Sequence, residues 1–92
     1  MLNLKYQAQF KKDLKLVMRR HWDLALLEGV TTMLQEGIPL PDCYKEHGLS
    51  GQWRGYRDCH IRGDWVLIYR IQEEENTLSL VRTGSHSDLG LS

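Results

Sequence analysis

Residues 56–83 read Tyr56-Arg57-Asp58-Cys59-His60-Ile61, then Arg62-Gly63-Asp64, then Trp65-Val66-Leu67-Ile68-Tyr69-Arg70-Ile71, then Gln72-Glu73-Glu74-Glu75-Asn76, then Thr77-Leu78-Ser79-Leu80-Val81-Arg82-Thr83. Three runs rich in aromatic and β-branched residues are separated by short polar breaks carrying Gly or Asn, the pattern of strands joined by turns. Reversals this short connect antiparallel neighbours, because parallel strands need a long crossover. The C-terminal half is therefore expected to be an antiparallel sheet.

Upstream the period changes. Phe10, Leu14 and Val17-Met18 recur at helical spacing from about Gln7 to Arg20, while Lys11, Lys12, Lys15 and Arg19 fall on the remaining surface. A second helix is expected from Asp23, a residue suited to cap it, through Leu26, Leu27, Val30, Met33 and Leu34 to Glu36. Gly37 can close it and Pro39 and Pro41 prevent its continuation. Before the helices, Leu2, Leu4 and Tyr6 alternate with Asn3 and Lys5 as in a short strand. The expected fold is α+β: an N-terminal strand and a helix hairpin packed on a small antiparallel sheet, one domain over residues 1–92.

Composition narrows the function. The chain has 92 residues, 41% hydrophobic and 26% charged, as an ordinary globular protein does. Twelve Lys and Arg against twelve Asp and Glu give zero formal charge. No global field draws it to polyanions, and any nucleic-acid contact must use a local patch. Lys5, Lys11, Lys12, Lys15, Arg19 and Arg20 form such a patch, opposed in the first twenty residues only by Asp13. Apolar runs such as Trp65–Tyr69 are far shorter than the roughly 20 residues of a membrane helix. The start Met1-Leu2-Asn3-Leu4-Lys5-Tyr6 lacks a basic region followed by an apolar stretch, so no secretory signal is expected and the default address is the cytoplasm. Cys43 and Cys59 match no zinc or redox spacing and read as buried or idle thiols.

The chemistry-bearing residues lie in the sheet half: His47 before the first of the three strands, His60 at its end, Asp64 after the turn and His86 after the last strand. An imidazole titrates near neutrality, so one ring can accept a proton while another donates one. RNA cleavage needs both, a base for the 2′-hydroxyl and an acid for the departing 5′-oxygen. A cation must hold the charge on phosphorus, and Arg82 is the candidate. With Arg62-Gly63 as a two-residue turn, His60 faces Trp65; a shift of one residue brings Asp64 onto the histidine face, and both registers stay open. The same donors suit zinc, but no HExxH-like pair is present, so neither metal nor cofactor is expected. Trp53, Trp65 and Tyr69 are candidates to stack an unpaired base, with Tyr69 the one expected in the core. His21 is explained by packing at a helix end.

Several segments carry a resemblance: Pro39-Leu40-Pro41, Tyr44-Lys45-Glu46-His47-Gly48-Leu49, Trp53-Arg54-Gly55-Tyr56-Arg57-Asp58-Cys59-His60-Ile61, Asp64-Trp65, and Arg82-Thr83-Gly84-Ser85-His86-Ser87-Asp88-Leu89. In this order, across almost the whole chain, the sequence resembles the YafQ-type toxins of the RelE/ParE superfamily. The resemblance implies a type II toxin-antitoxin ribonuclease that enters the 30S A site of the ribosome, cuts mRNA and stops translation, and that is neutralised by a cognate antitoxin. It implies His47, His60, Asp64 and His86 as the catalytic set, with His86 donating the proton to the leaving oxygen and Trp65 and Arg82 helping to hold the RNA. Similar toxins place an aromatic directly after the Ser-Asp-Leu segment, where this chain has Gly90. Two alternatives follow: a non-catalytic inhibitor of DNA gyrase, as in the ParE branch, or an attenuated toxin kept as an antitoxin-binding protein.

Overall fold

The structure, a computed structural model, describes residues 1–91. Strand β1 (Asn3–Tyr6) leads into helices α1 (Ala8–Arg19) and α2 (Leu24–Gln35). A short strand β2 (His47–Gly48) follows, then the long strands β3 (Arg57–Arg62), β4 (Trp65–Gln72) and β5 (Thr77–Ser85), and a single-turn helix α3 (His86–Leu89). The helix ends are chemically defined. Asp23 caps α2 by accepting from the Ala25 N–H at 3.0 Å, as expected from its position. Ser85 and Asp88 form a reciprocal capping box on α3, each side chain accepting from the other's backbone N–H.

The sheet has five strands in the order β1-β5-β4-β3-β2. β2 to β5 pair antiparallel, as the short reversals require. β1 joins β5 in parallel, Asn3 opposite Thr77 and Tyr6 opposite Leu80, so the sheet is mixed rather than wholly antiparallel. The helix hairpin between β1 and the rest is the long crossover that parallel pairing needs.

β1 covers only half of β5. Where it ends, Asp13 of α1 reaches the open edge and accepts from the Thr83 N–H at 3.1 Å. That contact satisfies a backbone donor that would otherwise be buried unpaired.

β4 explains the layering. Five consecutive residues, Trp65 to Tyr69, are buried, and successive side chains point to opposite faces. Trp65, Leu67 and Tyr69 join Cys59, Ile61, Leu78 and Leu80 beneath Phe10 and Val17 of α1 and Leu27, Val30 and Leu34 of α2. Burying side chains such as Phe10 and Val17, each 1% exposed, contributes roughly 1.5–3 kcal/mol apiece. Val66 and Ile68 point the other way into a smaller cluster with Leu49, Trp53, Tyr56, Val81, Leu89 and Leu91. This second face carries the histidines.

Candidate active site

The β3–β4 turn settles the register. Arg62 pairs with Trp65 across Gly63-Asp64, and a bulge at Ile61 sets His60 opposite Val66. The turn residues are therefore Gly63 and Asp64, not Arg62 and Gly63. The bulge keeps Ile61 and Trp65 in the helix-side core while His60 shares the opposite face with Val66.

Three imidazoles gather there, each anchored the same way. His47, on β2 rather than in a loop, places Nδ1 2.9 Å from the Lys45 carbonyl oxygen. His60 Nδ1 lies 3.3 Å from the Gly63 carbonyl oxygen. His86, at the start of α3, pairs through Nδ1 with Asp64 Oδ1, and its backbone N–H reaches the same oxygen at 3.4 Å. A carbonyl or carboxylate only accepts, so each Nδ1 carries the proton and each Nε2 is left for chemistry. The His60 and His86 rings stand 5.0 Å apart between centroids.

Two further contacts hold His86. The capping box fixes the first turn of α3, and Arg20 at the end of α1 grips Asp88 with two bonds of 2.6 and 3.1 Å. The Arg20 guanidinium holds the Asp88 carboxyl far below the usual carboxylate range. Gly84, with φ +151°, is required because a Cβ there would meet Asp88 Oδ2 at 3.0 Å.

Asp58 is the member that sequence reasoning missed. It lies opposite His47 and two residues before His60 on the same face, 3% exposed, with Oδ1 3.2 Å from His47 Nδ1. That separation places Asp58 beside the imidazole, but the Nδ1 proton goes to Lys45, so Oδ1 is left without a hydrogen bond. Burial pushes the Asp58 carboxyl up, and nearby His47, His60 and His86 partly oppose this. The signal was present in the two-residue spacing of Asp58 and His60 on one strand, which puts both on one face.

The remaining expected residues separate into two groups. Arg82 lies on the histidine face opposite Ile68 and is clamped by Asp13, Nε to Oδ2 at 2.7 Å and Nη2 to Oδ1 at 3.1 Å. Trp65 is 4% exposed in the helix-side core, where its Nε1–H donates to Thr83 Oγ1 at 2.8 Å and its ring meets Trp22 at 5.1 Å. It does not reach the histidine face, because the bulge fixes its parity with Ile61. Tyr69 is core, its hydroxyl donating to Glu46 Oε2 at 2.7 Å beside the Glu46–Arg57 ion pair that tethers the segment before His47. Lys11, Lys12 and Lys15 are exposed on α1, which meets the site through Asp13 and its C-cap Arg20 instead. Burial pushes the Cys59 thiol up to about 12, so it is an inert core group.

Fold and site together define a small bacterial toxin of the type II toxin-antitoxin class. The family model "Bacterial toxin of type II toxin-antitoxin system, YafQ" matches residues 2–90, and the chain belongs to that family. It is 42% identical over 88 residues to the mRNA interferase toxin YafQ of Escherichia coli K12, covering 95% of this chain and 94% of that one. A crystal structure of a metal-bound toxin from Helicobacter pylori superposes with TM-score 0.91 at 44% identity, covering 97% and 99% of the two chains. The E. coli DinJ-YafQ complex contains a chain that superposes with TM-score 0.85 at 41% identity, covering 97% and 98%.

Proposed function

We propose that this chain is an mRNA interferase: an endoribonuclease that cleaves mRNA in the ribosomal A site of the cytoplasm by acid-base catalysis and is neutralised by a cognate antitoxin. The observation that carries the reading is the common anchoring of His47, His60 and His86 through Nδ1, which leaves three Nε2 atoms outside those bonds. The family's E. coli member is an mRNA interferase, and it is solved in a DinJ-YafQ toxin-antitoxin complex, which supports both the substrate and the partner.

The chemistry follows from the geometry. A neutral Nε2 accepts the ribose 2′-hydroxyl proton as the oxygen attacks the adjacent phosphorus, and a protonated Nε2 donates to the departing 5′-oxygen. The products are a 2′,3′-cyclic phosphate and a 5′-hydroxyl. His86 is the donor: the Asp64 carboxylate on its Nδ1 stabilises the imidazolium, as a carboxylate does for a histidine that must charge during a reaction. His60, with its ring 5.0 Å from that of His86, and His47 are the groups placed to take the 2′-proton. Asp58 is the buried carboxyl on the same face, with Oδ1 3.2 Å from His47 Nδ1. Arg82, held by Asp13 through Nε and Nη2, offers its remaining Nη1 to phosphate oxygens.

Gly90 ends α3 in the left-handed conformation, φ +68°, with the Leu91 N–H bonded to the His86 carbonyl at 2.9 Å, and Leu91 packs against the cluster of Val66, Ile68 and Leu89. The tail thus supports the His86 turn without an aromatic at position 90. The test is a reconstituted translation reaction with defined mRNA: cleavage within A-site codons is expected, and its absence, or DNA breaks that depend on gyrase in its place, would refute the reading.

A further inference from the structure

A second cleft lies on the histidine face, away from the imidazoles. It encloses about 460 Å³, within the range of ligand-binding clefts, and its charged lining residues are Lys5, Arg70 and Arg82. No carboxylate is among the described residues that line it. Arg82 is paired with Asp13, which leaves Lys5 and Arg70 as the two lining cations with no bonded carboxylate, in a chain that as a whole has as many acids as bases; this is a local excess of the kind that attracts a polyanion.

The cleft also has aromatic walls. Trp53 stands edge-on to Tyr56 at 5.6 Å, and the Arg70 guanidinium lies over the Tyr56 ring at 5.6 Å. Trp53 and Tyr56 are both partly exposed, and both pack by one side on Val66 and Ile68. A rigid, half-exposed indole beside guanidinium groups is the arrangement that stacks unpaired bases and tracks their phosphates.

Sheet register ties this cleft to the active site. His47 is opposite Asp58, Asp58 opposite Ile68, and Ile68 opposite Arg82, a single rank across four strands. Two strand spacings put the Arg82 backbone about 10 Å from that of Asp58. Arg82 uses Nε and Nη2 to hold Asp13, and neither bond uses Nη1. At the far end the lining reaches Gln72, beyond which Glu73, Glu74 and Glu75 turn the chain. An RNA strand is therefore attracted along the cleft and repelled past Gln72.

We infer that the cleft between Lys5, Arg70, Arg82 and Trp53 is a single-stranded RNA track that holds nucleotides flanking the scissile phosphate. The inference rests on the nuclease reading for the identity of the strand, but not for the binding itself. The patch predicted on α1 from Lys11, Lys12 and Lys15 is a separate surface.

The test measures binding of a fluorescent 2′-O-methyl RNA oligonucleotide, which lacks the attacking hydroxyl, across a salt series. Arg70→Gln and Lys5→Gln, both exposed positions, should each flatten the log affinity against log salt line by about 0.7, the single-strand value per phosphate contact. Trp53→Ala should weaken binding roughly tenfold, and a 4-thiouridine probe should crosslink to Trp53. Thermal unfolding verifies that each variant is folded. No measurable binding by the parent chain at low salt, or an unchanged slope for the Lys5→Gln, Arg70→Gln double variant, overturns the inference. So does a loss of affinity for the antitoxin with RNA binding intact, which would assign the cleft to an acidic segment of that partner. If the parent chain fails to cut mRNA on programmed ribosomes, the nuclease reading falls while the salt slopes still decide the track.

Discussion

Asp64 and Asp58 are two carboxylates beside two imidazoles on one sheet face, and their surroundings drive them in opposite directions. The Asp64 side chain is 65% exposed, and the hydrogen bond from His86 holds its carboxyl below the usual range. The Asp58 side chain is 4% exposed, and burial outweighs the nearby imidazoles to push its carboxyl up. The difference teaches that a pair's position matters more than its composition: a wet carboxylate can afford to orient one histidine tightly, whereas a dry one acts as a diffuse negative charge shared among several. Perturbed carboxylates of this second kind concentrate at functional sites because function retains what stability would discard.

The comparison can be broken at either carboxylate. Removing the exposed pair should have the largest effect: His86→Ala is expected to lower the single-turnover rate of mRNA cleavage roughly 10²–10⁴-fold, the range of a positioned proton transfer. Asp64→Asn should reproduce much of that loss with little change in thermal stability, since it removes a surface contact. Retention of full activity by His86→Ala would remove it as the proton donor.

Asp58→Asn sharpens the contrast, because it should slow cleavage and stabilise the fold together. Relieving one buried charge by about 1 kcal/mol would raise the melting temperature by about 4–8 °C in a domain of this size. Scanning calorimetry beside the cleavage assay measures both, and a lower melting temperature would show that the charge is compensated.

Acid titration separates the two carboxylates by sign. Asp64 and Asp88 have lowered folded values, so their stabilisation is present above the unfolded value of about 4 and is lost as the pH falls through the folded ones. Asp58 has a raised folded value, so its destabilisation is present at neutral pH and is relieved as the pH falls through that value. Urea unfolding of Asp58→Asn and the parent chain should differ most at pH 7, with the gap closing toward pH 4.

The smallest expected effect is at the cap. Ser85→Ala removes one half of the box that holds the His86 turn and should cost about 1 kcal/mol of stability in urea unfolding. Because the Arg20–Asp88 pair remains, cleavage should fall less than in Asp64→Asn.

Much of this site was legible in the chain, for reasons that differ by residue. The strand and helix periods located the sheet half, and the spacing of His60 and Asp64 about a turn made their proximity nearly unavoidable. Asp58 was hidden because a charged residue in a strand usually faces solvent, and only the pairing of β2 onto β3 buries it. Trp65 looked like an RNA contact because an aromatic in a strand serves either face, and the bulge at Ile61 sends it to the core. Lys5 and Arg70 are remote in sequence, and no local pattern marks them as neighbours. The parallel entry of β1 beside β5 brings Lys5 to the cleft, where it shares a rank with Arg70 of β4 across Ser79 of β5.

The sequence by itself determined the element order, the capped second helix and the antiparallel pairing of the three long strands, because these rest on periodicity and local backbone chemistry. Tertiary structure alone decided the register at Gly63-Asp64, the burial of Asp58 and Trp65, the clamp of Asp13 on Arg82 and the basic cleft, because each depends on which face or edge meets a residue far away in the chain.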